Sequence, residues 1–128
     1  MRRITIPCMF ASVNVWVDKN RIRHGTWSAG NSMKQRDQKI ILGYLQKQLK
    51  APLNEPIMIE FRYYCPDGRR DPDNICGYFH KIFLDALVES GRLKNDSFRN
   101  VVGFVDSFYI DKRNVRIEID IHENMDRD

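Results

Sequence analysis

The chain has 128 residues, a formal net charge of +4, 42% hydrophobic residues and 11% aromatic residues. These values predict one globular domain over residues 1–128, because domains commonly have about 100–150 residues. No apolar run approaches the roughly 18–20 residues of a membrane span, and the start lacks the pattern of a signal peptide. We therefore expect a cytoplasmic protein with no membrane partner. The polar residues 123–128 predict a frayed tail.

The basic and acidic residues are divided unevenly along the chain. Residues 1–50 carry ten Lys and Arg against two acids, and residues 51–128 carry eleven against fifteen. A basic half is typical of a protein that binds a polyanion, and an acidic half with clustered Asp can hold metal. The alternative is a surface that only keeps the protein in solution.

Cysteine usage argues against a disulfide framework. The three cysteines, Cys8, Cys65 and Cys76, are odd in number and have no C-x-x-C spacing. Buried thiols are the expectation, and a zinc site is not. His80 is expected to be a surface or internally satisfied histidine rather than a ligand.

The N-terminal half predicts a strand, a long loop and a helix. Residues 2–10 alternate loosely between apolar and polar, which favours a strand. Residues 11–29 mix Asn, Gly, Asp and Ser with scattered aromatics, which predicts a loop. Helical spacing of apolar residues then predicts a helix over residues 33–49, with Ser32 as its N-cap.

The C-terminal half predicts one more helix and three strands. Strict alternation favours a strand over residues 57–64, and a second helix is expected from an Asp73 cap to about Ser90. Two further strands are expected over residues 101–110 and 115–121. The order β-α-β-α-β-β predicts a two-layer α/β (α+β) domain, with helices packed on a mixed sheet.

Two carboxylates stand one residue apart at a turn before the second helix. Pro72 biases Asp71 towards an extended conformation, in which residues i and i+2 project to the same side. The carboxylates of Asp71 and Asp73 could therefore face one point. The alternative is that Asp73 is only an N-cap and Asp71 only a turn residue.

Two more charged residues follow at a distance. Asp96 lies in the loop after the helix, where an acid is commonly only a loop residue. Lys81 lies within the helix and could simply pair with Asp85 four residues on. Two turns, about 12 Å of rise, separate Asp73 from Lys81, so a shared site requires the lysine side chain to reach back.

The central segment resembles the RusA family of Holliday junction resolvases, which are small endodeoxyribonucleases, mostly of phage or prophage origin. The likeness is sharpest over residues 69–97 and looser elsewhere. The residues that carry it are Arg70-Asp71-Pro72-Asp73-Asn74, Lys81, Leu84-Asp85-Ala86-Leu87, Gly91 and Asn95-Asp96.

This resemblance implies a magnesium-dependent active site. In the family three aspartates bind Mg²⁺ and a lysine on the intervening helix supports catalysis. One departure is that Gly77 stands four residues after the second aspartate, where the family has its lysine. Counted back from Asp85, Lys81 occupies the matching place. The implied ligands and catalytic residues are Asp71, Asp73, Asp96 and Lys81.

Basic residues outside this segment suit contacts to DNA phosphates, which give affinity without reading sequence. Arg21 and Arg23 lie near Trp27, a mixture that also suits base stacking. A solvated loop with one anchoring Trp is the alternative. The candidate DNA-binding residues are Arg69, Arg70, Arg21, Arg23, Lys34, Arg36 and Lys39.

Together these features predict an endonuclease that resolves four-way DNA junctions by paired symmetric nicks. The acids would bind Mg²⁺, for which Mn²⁺ should substitute. Two symmetric nicks imply a two-fold homodimer, as does the family. The expected location is the cytoplasm of a bacterium or phage-infected cell. Two alternatives stay open, a branched-DNA-binding module without activity and a metal-dependent nuclease that acts on flap DNA or RNA.

Overall fold

A four-stranded mixed sheet carries the helices on one of its faces. The computed structural model describes residues 1–126. Its strands are β1 (Arg2–Ile6), β2 (Arg23–His24), β3 (Trp27–Ser28), β4 (Ile57–Cys65), β5 (Val101–Ile110) and β6 (Arg116–His122). Its helices are α1 (Val13–Asn20), α2 (Ala29–Gln48) and α3 (Pro72–Glu89). This is the α/β (α+β) class that the sequence predicts.

The strands of the main sheet run in the order β1-β6-β4-β5. The β4–β5 pair is parallel, and α3 is the crossover that joins these two strands. The β1–β6 and β6–β4 pairs are antiparallel. Because β4 and β5 are parallel, α3 carries the chain from one end of the sheet back to the other.

The core lies between the helices and one sheet face. Alternate residues of β4 are fully buried while their neighbours are half-buried, which is the pattern of a strand with one covered face. Phe61 packs edge-on against Phe79 and Phe83 of α3, with ring centroids 5.7 and 5.6 Å apart. The opposite face carries ion pairs, in which Arg62 and Arg3 both contact Asp120.

The predicted loop over residues 11–29 is wrong. It contains helix α1, capped by the Ser12 hydroxyl, which accepts from the Val15 N–H at 3.2 Å. A β2–β3 hairpin follows, and Gly25 adopts a φ of +62° at its turn. No residue of α1, which lies within the described range, is fully buried. The helix has only eight residues, fewer than the roughly 11–18 over which a helical period is recognised, so the sequence does not predict it.

Helix α2 begins one turn earlier than predicted. Its N-cap is Ser28, whose hydroxyl accepts from the Asn31 N–H at 3.0 Å, and not Ser32.

Ser28→Ala should lower the free energy of unfolding by about 1 kcal/mol, since it removes this bond. Ser32→Ala is the matched control and should leave stability within about 0.5 kcal/mol. Urea unfolding of both variants measures this, and an equal loss in both would contradict the cap assignment.

The end of the chain packs more closely than predicted. The Glu123 carboxylate contacts Arg2 at 2.8 Å and accepts from the Asn54 backbone N–H at 2.8 Å. The backbone N–H of Met125 donates to the Pro56 carbonyl at 2.9 Å. These contacts tie residues 123–125 to the fold, whereas a frayed tail was expected from residue 123. The prediction for residues 127 and 128 lies outside the described residues.

Within residues 1–126, no helix is long and apolar enough to cross a membrane.

Candidate active site

The junction of β4 and α3 presents two carboxylates to solvent. Asp71, at φ −71° and ψ 147°, is the N-cap, and Pro72 is the first residue of the helix. The Asp71 backbone carbonyl accepts from the Asn74 and Ile75 N–H groups at 3.0 and 3.2 Å. Within residues 1–126, its side chain makes no capping hydrogen bond. Asp73 lies in the first turn and is exposed, so the expectation that Asp73 is the cap is wrong.

The two arginines before these acids differ in their contacts. Arg69 is 90% exposed at its side chain and lies 3.8 Å from the Asp67 carboxylate. Arg70 donates from Nη1 to the Phe10 backbone carbonyl at 2.7 Å. Arg70 therefore braces the loop against the segment after β1, and Arg69 extends into solvent.

Lys81 lies on the exposed side of α3. Its Nζ is 3.7 Å from Asp85, while Lys34 of α2 lies 2.7 Å from the same carboxylate. Lys81 thus makes the helical pair that the sequence offered as an alternative. Eight residues separate it from Asp73, about 12 Å along the axis. Its catalytic role stays a prediction.

Asp96 lies at the other end of α3. It lines an open cleft of about 540 Å³ together with Lys34, Lys39, Asp85 and Glu89. Asp85 follows Asp73 by twelve residues, or about 18 Å of helix. Across the described part of the chain, Asp71, Asp73 and Asp96 do not form a cluster of three ligand atoms within 4.8 Å. One chain therefore has Asp71 and Asp73 at the start of α3 and Asp96 beyond its other end.

The candidate DNA-binding residues of the N-terminal half form an exposed surface on the hairpin and α2. Trp27 is 47% exposed and stacks on His24, with ring centroids 5.8 Å apart. Trp27, Lys19 and Arg36 line one shallow groove. Arg21, Arg23 and Lys39 are also exposed, although Arg21 lies 3.5 Å from Asp18. Lys34 is mostly covered and is paired with Asp85.

The structure shows a second cluster of ligand-type side chains that the sequence analysis did not predict. Cys76 and His80 on α3 and Asp106 on β5 place one ligand atom each within 4.8 Å of the others. His80 Nε2 lies 2.8 Å from Asp106 Oδ1, and the Tyr63 hydroxyl donates to the same oxygen at 2.9 Å. Burial raises the pKa of the Tyr63 hydroxyl and of the Cys76 thiol, and the charge of Asp106 adds to both shifts.

One signal in the sequence could have indicated this cluster. Cys76 and His80 are four residues apart, so a helix places them on one face. Asp106 gives no such signal, because it stands alone in a strand. It meets the pair only because the parallel register sets Asp106 beside Phe61 of β4, under α3.

No protein-family model and no curated protein matches this chain. The resemblance to the RusA family therefore remains an inference from the residues quoted for it.

Proposed function

We propose that this chain is a RusA-like, Mg²⁺-dependent DNA endonuclease that resolves four-way junctions in the cytoplasm of a bacterium or phage-infected cell. The observation that carries the proposal is the state of Asp71 and Asp73. Both are exposed, and among the described residues the Asp71 side chain makes no capping hydrogen bond to its own helix. Mg²⁺ and Mn²⁺ prefer oxygen ligands, which these two carboxylates provide.

The proposed chemistry divides the work among neighbouring residues. Asp71 and Asp73, together with one Asp96 carboxylate, would hold Mg²⁺. The bound ion would supply a means to activate water and to stabilise charge on the scissile phosphate. Arg69 would contact that phosphate from the same loop. Lys81, farther along α3, would neutralise charge that develops in the transition state.

A homodimer would complete the set of ligands. Because α3 separates Asp96 from the other two aspartates in one chain, the third carboxylate is best supplied by a second copy. A two-fold dimer would then hold two such sites, one for each of the paired nicks.

Strand β5 is a suitable surface for that dimer. It is an edge of the sheet, and its exposed apolar side chains are Phe104, Val105, Tyr109 and Ile110. A long apolar edge strand readily pairs with another strand. Antiparallel pairing of two β5 strands would set the start of one beside the end of the other. Asp96 precedes that start, and the end at Ile110 pairs with Cys65, just before the Asp71 loop.

The hairpin and α2 surface would bind the arms of the junction or its unpaired bases. Trp27→Ala should weaken junction binding about 10-fold, because base stacking on an aromatic side chain is worth about 1–3 kcal/mol. Trp27→Phe retains a stacking face and should recover most of the affinity. Fluorescence anisotropy with a labelled junction in Ca²⁺ measures both variants. Equal losses for Ala and Phe, or no loss for Ala, would contradict the stacking role.

A panel of substrates tests the proposed activity. The purified chain is incubated in Mg²⁺, and separately in Mn²⁺, with a labelled four-way junction, a linear duplex, a flap DNA and an RNA duplex. Paired symmetric nicks confined to the junction are expected. Binding without nicks in either metal would favour the inactive module, and preferential cleavage of the flap or RNA would favour the third function.

A further inference from the structure

A mixed set of sulfur, nitrogen and oxygen ligands joins α3 to the edge strand β5. The ligand atoms of Cys76, His80 and Asp106 lie within 4.8 Å of one another, and all three residues are half-buried. Thiolate and imidazole favour Zn²⁺ and related transition metals, whereas Mg²⁺ prefers oxygen. From this geometry we propose that the chain binds one Zn²⁺-type ion through these three side chains.

The imidazole and the carboxylate require little movement to accept a tetrahedral ion. Ligands about 2.0–2.1 Å from zinc at the tetrahedral angle are separated by about 3.3 Å. His80 Nε2 and Asp106 Oδ1 now lie 2.8 Å apart, so they need to separate by only a few tenths of an ångström. The C-x-x-x-H spacing places the sulfur and the imidazole on one helix face, one turn apart, as in helical metal motifs.

The surroundings hold the ligands in position. The Tyr63 hydroxyl donates to Asp106 at 2.9 Å and so fixes the carboxylate from outside the ligand set. His80 lies between Phe61 and Phe104, with ring centroids 4.9 and 4.7 Å away, which restricts its rotation. Three protein ligands leave the fourth position of a tetrahedral ion to water.

The ion would link α3, which follows Asp71, to β5, the strand proposed as the dimer edge. Since the ion binds the folded chain, it should raise the temperature of unfolding. The inference does not depend on nuclease activity. It concerns a different ion and different side chains from those proposed for Mg²⁺.

Titration with Co²⁺, a spectroscopic substitute for Zn²⁺, tests the site in the full-length protein. We expect a thiolate-to-cobalt charge-transfer band that saturates at one ion per chain, is displaced by Zn²⁺ and persists in excess Mg²⁺. The band should disappear in Cys76→Ser and His80→Gln. It should remain in Cys8→Ser, in His122→Gln and in Asp73→Asn, which alters only the proposed Mg²⁺ site.

Absence of the band in the wild-type chain, or its survival in Cys76→Ser, would overturn the inference. Circular dichroism checks that each variant is folded, and if one is not, the other ligand variant decides. Asp106→Asn, which retains the side-chain volume, gives an independent readout. Zn²⁺ should raise the unfolding temperature of the wild type and not that of Asp106→Asn. An equal rise in both would mean that Asp106 is not a ligand.

Discussion

Asp73→Asn is expected to reduce junction nicking in Mg²⁺ by at least about 100-fold, since it removes a charged metal ligand from the proposed site. Junction affinity measured in Ca²⁺ should change little, because the basic surface that carries binding is intact. Asp73 is exposed, so the variant should lose at most about 1 kcal/mol of stability, from the favourable charge at the start of α3. Single-turnover nicking, anisotropy and urea unfolding measure the three quantities.

Asp126→Asn is the matched control for this result. Asp126 is also an exposed aspartate, and it plays no part in the proposed site. It should nick at the wild-type rate. Wild-type nicking by Asp73→Asn, or an equal loss in the control, would remove the carboxylate from the mechanism.

Asp120→Asn is expected to lower the free energy of unfolding by about 3 kcal/mol at pH 7. The Asp120 carboxylate is buried and accepts from Arg3 at 2.7 and 3.1 Å and from Arg62 at 2.8 Å. Its loss leaves the largely covered Arg62 without its closest charge partner. Asp18→Asn, at an exposed pair, should change stability by less than about 0.5 kcal/mol. Similar losses in the two variants would contradict the importance of the buried pair.

Because of the Asp120 carboxylate, we also expect the free energy of unfolding to depend on pH in the acid range. Hydrogen bonds from Arg3 and Arg62 lower the pKa of Asp120 from 3.8 to about 2. The ionised Asp120 therefore stabilises the fold by about 2 kcal/mol above about pH 4 to 5, and this contribution is lost as the pH falls through the folded-state pKa of about 2. Urea unfolding from pH 5 to pH 2 should show a steeper loss in the wild type than in Asp120→Asn. Parallel curves would contradict the assignment.

The sequence predicted the two strands of the parallel pair closely. Strand β5 has the predicted bounds, and β4 extends only one residue further, to Cys65. Gly91, with a φ of +75°, follows α3 where the sequence predicted a stop. Helix α1 was missed because its eight residues are too few to show a clear helical period, and the start of α2 was displaced because Ser28 and Ser32 are both acceptable caps.

The sites were predictable only in part. The pair Asp71 and Asp73 can be recognised from its spacing in the sequence, because one residue separates the two carboxylates. The separation of Asp96 from them depends on the length and direction of α3, and these cannot be read from the sequence motif. The meeting of His80 with Asp106 depends on the register of β5 against β4, which no local pattern encodes.

A mixture of two inactive variants tests the shared site most directly. Asp73→Asn and Asp96→Asn are each assayed alone and then as a mixed dimer on the labelled junction in Mg²⁺. If each site combines Asp73 of one subunit with Asp96 of its partner, the mixed dimer has one intact site and one doubly altered site. We expect no nicks from either variant alone and single, unpaired nicks from the mixture. A mixture that forms mixed dimers and makes no nicks would contradict the shared site, and a wild-type chain that never nicks in Mg²⁺ or Mn²⁺ would contradict the nuclease itself.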